Sequence, residues 1–274
     1  MTNLAERIKR DCTGCGVCAA RCGFLKQYGL PGDIADSLLV GRCQTDPFIC
    51  SLCNLCAAVC PEKLEPGDFF LDLRRRAVSQ QAVNFRPYRV ILGYEKRGNS
   101  SLFFWDGLPS ACRSVFFPGC SLPGTRRQST LALYRRLRAK IPNLGVMLAC
   151  CSKLSHDLGR QEHFLREFGK IRTRLLNAGV RDVLVACPNC YKVFRQYGNQ
   201  LRVRSVWEAL SCGRGAKSAP MAAESDMEPT TASPIHLADL LVNPQKALTE
   251  ASSPAKAPWT YLHRLRLKRQ LQRM

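Results

Sequence analysis

Ser114-Val-Phe-Phe-Pro-Gly-Cys120 is a short, β-prone apolar run broken by Pro-Gly and closed by a cysteine. The same order returns twice, with Gly145–Ala149 running into Cys150-Cys151 and Asp182–Ala186 into Cys187-Pro-Asn-Cys190. Helical spacing fills the gaps. Leu133, Tyr134 and Leu137 mark a helix over Leu131–Ala139, and Phe164, Phe168, Ile171 and Leu175 mark another over residues 160–178, stopped by Gly179. Strand alternating with helix predicts a parallel sheet with right-handed crossovers. In an open α/β sheet the positions just after the strands collect along the carboxyl edge, where such folds place ligands. Cys120, Cys150, Cys151, Cys187 and Cys190 are therefore expected to meet in space.

Upstream, Cys12, Cys15, Cys18 and Cys22 read C-x₂-C-x₂-C-x₃-C, and Cys50, Cys53, Cys56 and Cys60 repeat that spacing and add Pro61. This is the ligand pattern of a [4Fe–4S] cluster, and two copies predict a two-cluster, ferredoxin-like module. In such modules the fourth cysteine of each run serves the other cluster. The expected sets are Cys12, Cys15, Cys18 with Cys60, and Cys50, Cys53, Cys56 with Cys22. Structural zinc is the competing reading, but two C-x₂-C pairs satisfy zinc and would leave the remaining cysteines surplus. Gly23 stands where the second run has Pro61, a departure that shifts a loop and removes no ligand.

The stretch between Cys22 and Cys50 has room for a helix, which favours a mainly helical module over a compact β-rich one. A short polar helix is expected before Cys12. Asp33 is expected to cap a helix carrying Ile34, Ala35, Leu38 and Leu39, and Pro66-Gly67-Asp68 to lead into one with Phe69, Leu73 and Ala77. The expected architecture is thus an α-helical, ferredoxin-like two-cluster domain over residues 1–81, then an α/β domain with a small parallel sheet over 114–212. Residues 82–113 read as a connecting segment containing a hairpin, with Arg89–Tyr94 and Leu102–Trp105 flanking a Gly98-Asn99 turn. Residues 213–274 read as an Ala/Ser/Pro-rich linker, a short helix at Ile235–Val242, and a basic Arg/Leu tail from Tyr261 taken as disordered, or else as a basic helix for a membrane or partner.

Composition limits the possibilities. The chain has 274 residues, 46% of them hydrophobic, and 16 cysteines. The opening residues lack the apolar core of a signal peptide, and no apolar run approaches the roughly 18 residues of a membrane span. Clustered cysteines in a reducing compartment are expected to hold metal instead of disulfides, so the expected location is cytoplasmic, either free or peripheral to an inner membrane. The formal net charge of +20 favours an acidic partner, an anionic membrane face or nucleic acid, or else reflects only an arginine-rich composition. Nucleic acid ranks last because no DNA-reading motif is present. There is no G-x-G-x-x-G and no Walker loop, so any flavin or nicotinamide is expected on a partner subunit.

The first 80 residues resemble the iron–sulfur subunits of heterodisulfide-reductase-type proteins, and Phe116-Phe-Pro-Gly-Cys120, Cys150-Cys151 and Cys187-Pro-Asn-Cys190 resemble their cysteine-rich CCG domain. The iron–sulfur subunits of anaerobic glycerol-3-phosphate dehydrogenase and of lactate and glycolate oxidases are relatives of that family. The resemblance covers roughly residues 8–212. It implies two [4Fe–4S] cubanes and a further, noncubane [4Fe–4S] cluster on Cys120, Cys150, Cys151, Cys187 and Cys190, where a disulfide is split one electron at a time. It also implies an oxidoreductase subunit whose partners are a flavoprotein or a membrane-associated electron carrier. Zinc, or a cubane on four of the five cysteines, stays open for that last set.

The chain departs from the family pattern in three places. The 29 residues between Cys120 and Cys150 are slightly short for the family. Ser152 replaces the glycine of the CCG motif. One CCG unit is present where the family carries two, although Ile235-His-Leu-Ala-Asp-Leu-Leu resembles the lead into a second and Trp259-Thr-Tyr261 its opening, as in a truncated copy. Cys43, Cys112 and Cys212 fit no motif and are expected to be buried free thiols. His156 reads as a surface loop histidine, with a donor or proton source near the cysteines as the alternative. His163, His236 and His263 carry no signal. Arg126-Arg127 and Arg135-Arg136 read as a solvated helix face or as contacts for an anion.

Overall fold

Along each central strand, alternate side chains leave on opposite faces. Val115 and Phe117, Met147 and Ala149, and Val183 and Val185 enter one core, while Phe116, Val146, Leu148 and Leu184 enter another. That two-sided burial explains why the strands read as continuous apolar runs, as expected of a sheet covered on both faces. In the computed structural model, which describes residues 3–211 and 258–274, the elements are β1 (Trp105–Gly107), β2 (Ser114–Phe117), β3 (Gly145–Leu148), β4 (Asp182–Val185) and β5 (Arg202–Ser205). They form one sheet in the order β1-β3-β2-β4-β5, parallel except for β1, which pairs antiparallel with β3.

The described residues divide into two compact units. One comprises the chain up to Phe85 with Asp157–Arg160, and the other Arg86–His156, the residues from Gln161 and the C-terminal segment.

The first unit is helical. It contains α1 (Asn3–Asp11), α2 (Val17–Ala20), α3 (Gly23–Tyr28), α4 (Pro31–Leu39), α5 (Leu55–Ala58) and α6 (Pro66–Ser79). Ala5 and Ile8 of α1 meet Ile34 and Ala35 of α4, with Phe24, Phe69, Phe70 and Leu73 completing the core. Leu30 occupies the N-cap of α4 and Pro31 opens it, so Asp33 lies in the first turn and does not cap. Proline at the first helical position loses no hydrogen bond, because that N–H has no intrahelical acceptor in any case.

In the second unit, α7 (Arg89–Gly98) leads to β1. The hairpin expected at Arg89–Trp105 is therefore corrected. Ile91, Tyr94, Glu95 and Gly98 are buried at helical spacing, and that period prevails over the β-branched look of Val90-Ile91. After β2 come α8 (Ser121–Thr125) and α9 (Arg127–Lys140); after β3, α10 (Lys153–Asp157) and α11 (Gln161–Asn177); after β4, α12 (Pro188–Tyr197). Then β5 is followed by α13 (Val206–Ser211), and the C-terminal segment forms α14 (Pro258–Gln272).

Phe164, Phe168, Ile171 and Leu175 of α11 and Val193 and Phe194 of α12 cover one sheet face. Leu131, Tyr134 and Leu137 of α9, Val206 of α13, and Leu267 and Leu271 of α14 cover the other. The reading of the tail as disordered is thus corrected. Leu267 is fully buried and Leu271 nearly so, each worth roughly 1.5–3 kcal/mol of apolar burial. Cys212, the linker and the helix expected at Ile235–Val242 lie outside the described residues.

No helix among the described residues is long and apolar enough to cross a membrane.

Candidate functional site

The two cysteine runs fold as a repeat. Gly14 and Gly16 in the first run have φ of 69° and 76°, and Leu52 and Asn54, at the same offsets in the second, have φ of 53° and 65°. Each run then enters a four-residue helix, α2 or α5. Left-handed residues cost a side-chain-bearing residue roughly 1–2 kcal/mol, so their presence at Leu52 and Asn54 shows the turn being imposed by its surroundings. Successive N–H groups in such turns form concavities that favour anions, iron–sulfur sites among them. Leu52 N–H already points to Cys50 Sγ at 3.5 Å.

The eight cysteines line two cavities, and Cys56 is common to both. Cys12, Cys15, Cys18, Cys56 and Cys60 line one, and Leu30, Pro31, Leu64 and Pro66 make its walls apolar. Cys22, Cys50, Cys53 and Cys56 line the other. Cys60 therefore lies with the first run and Cys22 with the second. Burial pushes the Cys50 thiol up to about 11, the Arg74 guanidinium opposing the rise, and pushes Cys56 up to about 12. Cys18 is raised by burial as well, with Cys12 and Cys15 adding to it. After Cys22 the chain enters α3 directly at Gly23, whereas Pro61 opens a turn before α6.

Arg74 was not singled out by the sequence. It is buried, donates through Nε to Pro47 O at 2.9 Å and through Nη2 to Cys50 O, and lies over the Phe48 ring. It fixes the loop that presents Cys50.

The third set sits at the carboxyl ends of three adjacent parallel strands. Cys120 follows β2, Cys150 and Cys151 follow β3, and Cys187 caps α12 after β4, with Cys190 in that helix's first turn. Pro188 at the first helical position starts α12 at once and so keeps Cys187 and Cys190 together. Cys190 Sγ lies 3.5 Å from Cys151 Sγ. Cys120 and Cys150 share a hydrogen bond that draws the Cys120 thiol down, with Arg264 assisting, and pushes Cys150 up. Cys190 is pushed up by hydrogen bonds to Cys151 and Cys187. Cys120, Cys150, Cys151 and Cys190 are buried, and Cys187 is partly exposed.

Backbone geometry makes this crowding possible. Gly119 has φ of 80°, and a Cβ there would lie 3.0 Å from Cys190 Sγ. Ser152 keeps the left-handed conformation that a glycine would supply, at φ of 58°, and its Oγ accepts from Asn99 Nδ2 at 3.3 Å.

Several neighbours escaped the sequence reading. Asn99, expected in a turn, instead bonds the Cys150 peptide. Tyr94 is buried and donates its hydroxyl to Cys120 O at 2.8 Å, and desolvation keeps that phenol protonated. Glu95 is buried and accepts from the Ser155 N–H at 3.0 Å and from its hydroxyl. His163 approaches Glu95 at 3.5 Å. The helical spacing of residues 91, 94, 95 and 98 was the signal that could have found Tyr94 and Glu95. His156 is 5% exposed and pairs with Tyr197 Oη at 2.9 Å, which corrects its reading as a surface histidine. Arg126, Arg135 and Arg136 are exposed, whereas Arg127 is half-buried and donates to Gln270 Oε1 at 2.7 Å. Cys112 is a buried thiol donating to Ser114 O at 3.2 Å, and Cys43 is half-buried.

Among the described residues no three His, Cys, Asp or Glu side chains converge as a single metal ion requires. A polynuclear cluster sets a different demand, since each thiolate holds a different iron and the sulfurs surround a volume. Two cavities lined by thiols, apolar walls and anion-favouring turns suit that demand in the first unit. Five clustered sulfurs, four of them buried, suit it in the second.

Comparison with protein-family models, curated proteins and solved structures found no match to this chain.

Proposed function

We propose that this chain is an iron–sulfur electron-transfer subunit of a heterodisulfide-reductase-like redox complex. The observation that carries the reading is the gathering of thirteen cysteines around two cavities and at one sheet edge. Cys12, Cys15, Cys18 and Cys60 would hold one cubane, and Cys22, Cys50, Cys53 and Cys56 a second. Cys120, Cys150, Cys151, Cys187 and Cys190 would hold a further, noncubane cluster. When bound, such clusters would supply one-electron redox chemistry, which for a disulfide substrate means two successive electrons and two protons from solvent, the S–S bond breaking to release two thiols.

The chain's own residues prepare each place. Burial favours the protonated thiols at Cys50 and Cys56, so a metal held there would displace those protons. Arg74 holds the Cys50 loop, and Asn99, Tyr94 and Gly119 hold the strand-end loops of the third set. The basic composition favours an acidic partner subunit, as proposed also for the flavoprotein or membrane-associated carrier that would exchange electrons with this chain.

A second reading is favoured by burial. With Cys150, Cys151 and Cys190 at 2%, 4% and 1% exposure, a substrate disulfide has little access, and a pure relay for a flavin-dependent hydroxyacid or glycerol-3-phosphate dehydrogenase needs none. Chemically reduced, anaerobic protein mixed with an asymmetric small-molecule disulfide separates the two. Release of two thiols per two electrons consumed supports the first reading. No thiol release, with a flavoprotein co-purifying and reducing the chain, supports the second and defeats the first.

A further inference from the structure

Arg264 lies on α14 and is 1% exposed. Its Nη2 donates to Gly98 O at 3.3 Å, and its guanidinium lies over the rings of Phe103 at 5.6 Å and Tyr94 at 6.0 Å. Its Nε and Nη1 are buried and meet no hydrogen-bond partner among the described residues. A guanidinium cannot shed its charge, so burying it with two nitrogens unmet is among the most unfavourable arrangements a fold can contain. Such a group calls for an anion.

The buried Glu95 is already engaged by Ser155, which leaves the sulfurs of the third set as candidates. The space beside Gly98 is bounded by Arg264 Nη1 and Cys150 Cβ, each 3.2 Å from where a side chain on Gly98 would begin. Tyr94, beneath the guanidinium, bonds Cys120 O, and Asn99, next to Gly98, bonds the Cys150 peptide. One helix, α7, thus sets Arg264 beside the Cys120–Cys150 pair. Thiols in their neutral form offer this cation little. Thiolates, or an anionic iron–sulfur core, offer a charge and several acceptors.

We propose that Arg264 is the built-in counter-charge of the five-cysteine set, a positioning residue that α14 delivers to the Cys120–Cys150 side of it. The proposal rests on the reading that this set is loaded as thiolates. It gives the C-terminal helix a part in the site beyond covering the sheet. The competing role is packing alone, on Tyr94 and Phe103.

The test uses the full chain prepared anaerobically, as wild type, Arg264→Met and Arg264→Lys. Folding is checked by circular dichroism, iron and acid-labile sulfide are counted, and the midpoint of the signal lost in Cys151→Ala is titrated by EPR. Arg264→Met is expected to lose the third cluster alone, or to shift its reduction equilibrium at least tenfold towards the oxidised form, about 59 mV lower for one electron. Arg264→Lys, which keeps the charge, is expected to retain the cluster with a smaller shift. A folded Arg264→Met with three clusters at the wild-type midpoint overturns the proposal. So does Arg264→Lys deviating as far as Arg264→Met. Should Arg264→Met not fold, Arg264→Lys decides: three clusters with less than a tenfold shift support the proposal, and loss of the third cluster or a larger shift defeats it. Two clusters in the wild type would instead overturn the reading beneath the proposal.

Discussion

Asn99 grips the Cys150 peptide from both sides, its Oδ1 accepting from Cys150 N–H at 2.7 Å and its Nδ2 donating to Cys150 O at 3.0 Å. The residue stands at the C-cap of α7, so the helix end and the cysteine loop share one amide. Asn99→Ala leaves two backbone groups of a buried loop without partners, a cost of roughly 2–3 kcal/mol. The expected result is a melting temperature about 5–10 °C lower and selective loss of the third cluster. Differential scanning calorimetry with sulfide quantitation checks it. An unchanged melting temperature would mean the loop is held by other contacts.

Gly119 marks the closest backbone approach in that site. Alanine at φ of 80° costs roughly 1–2 kcal/mol, and its Cβ would press on Cys190 Sγ at 3.0 Å. Gly119→Ala is expected to lose the third cluster while the eight-cysteine module keeps its two. Retention of all three in Gly119→Ala would show that the loop yields.

The sheet was legible because β2, β3 and β4 are apolar on both faces and each runs straight into a cysteine. The gathering of the five cysteines followed from that topology alone. Edge strand β5, with Arg202 and Arg204 alternating against Val203, carried too little apolar signal to be read. The helix α7 was missed because Val90-Ile91-Leu92 resembles a strand locally, and only the spacing of Tyr94 and Gly98 betrays a helix. With α7 misread, Tyr94, Glu95 and Asn99 could not be placed. The C-terminal helix looked like a tail because its arginines dominate the composition, while its burial rests on Leu267 and Leu271. Ser152 adopting the glycine conformation could not be foreseen, since a serine gives no sign of positive φ.

Thiol chemistry of the metal-free chain should follow burial. Cys50 and Cys56 have pKa values raised from 9.0 to about 11 and about 12 chiefly by desolvation. A raised value means that the fold favours the protonated form. Their contribution to stability is therefore full below about pH 9 and is lost as pH rises through about 11 to 12. At pH 8, iodoacetamide should label the exposed Cys15 and Cys53 first and Cys50 and Cys56 last, with labelling of the latter pair rising about tenfold per pH unit. Mass spectrometry of timed quenches reads the order, and equal rates at all four would contradict it.

The crossing of the two runs makes a prediction about pairs of substitutions. Cys12 and Cys60 line one cavity and Cys22 the other. Cys12→Ala combined with Cys60→Ala should spare one cubane, whereas Cys12→Ala with Cys22→Ala should disable both. EPR of the reduced proteins distinguishes them. Loss of both cubanes in the first pair, together with survival of one in the second, would assign each run its own cluster.

The most direct test is elemental. Anaerobically prepared wild-type protein, assayed for iron and acid-labile sulfide, should contain about twelve of each per chain, falling to about eight in Cys151→Ala. Colourless material, or zinc without labile sulfide, would contradict the account at its root.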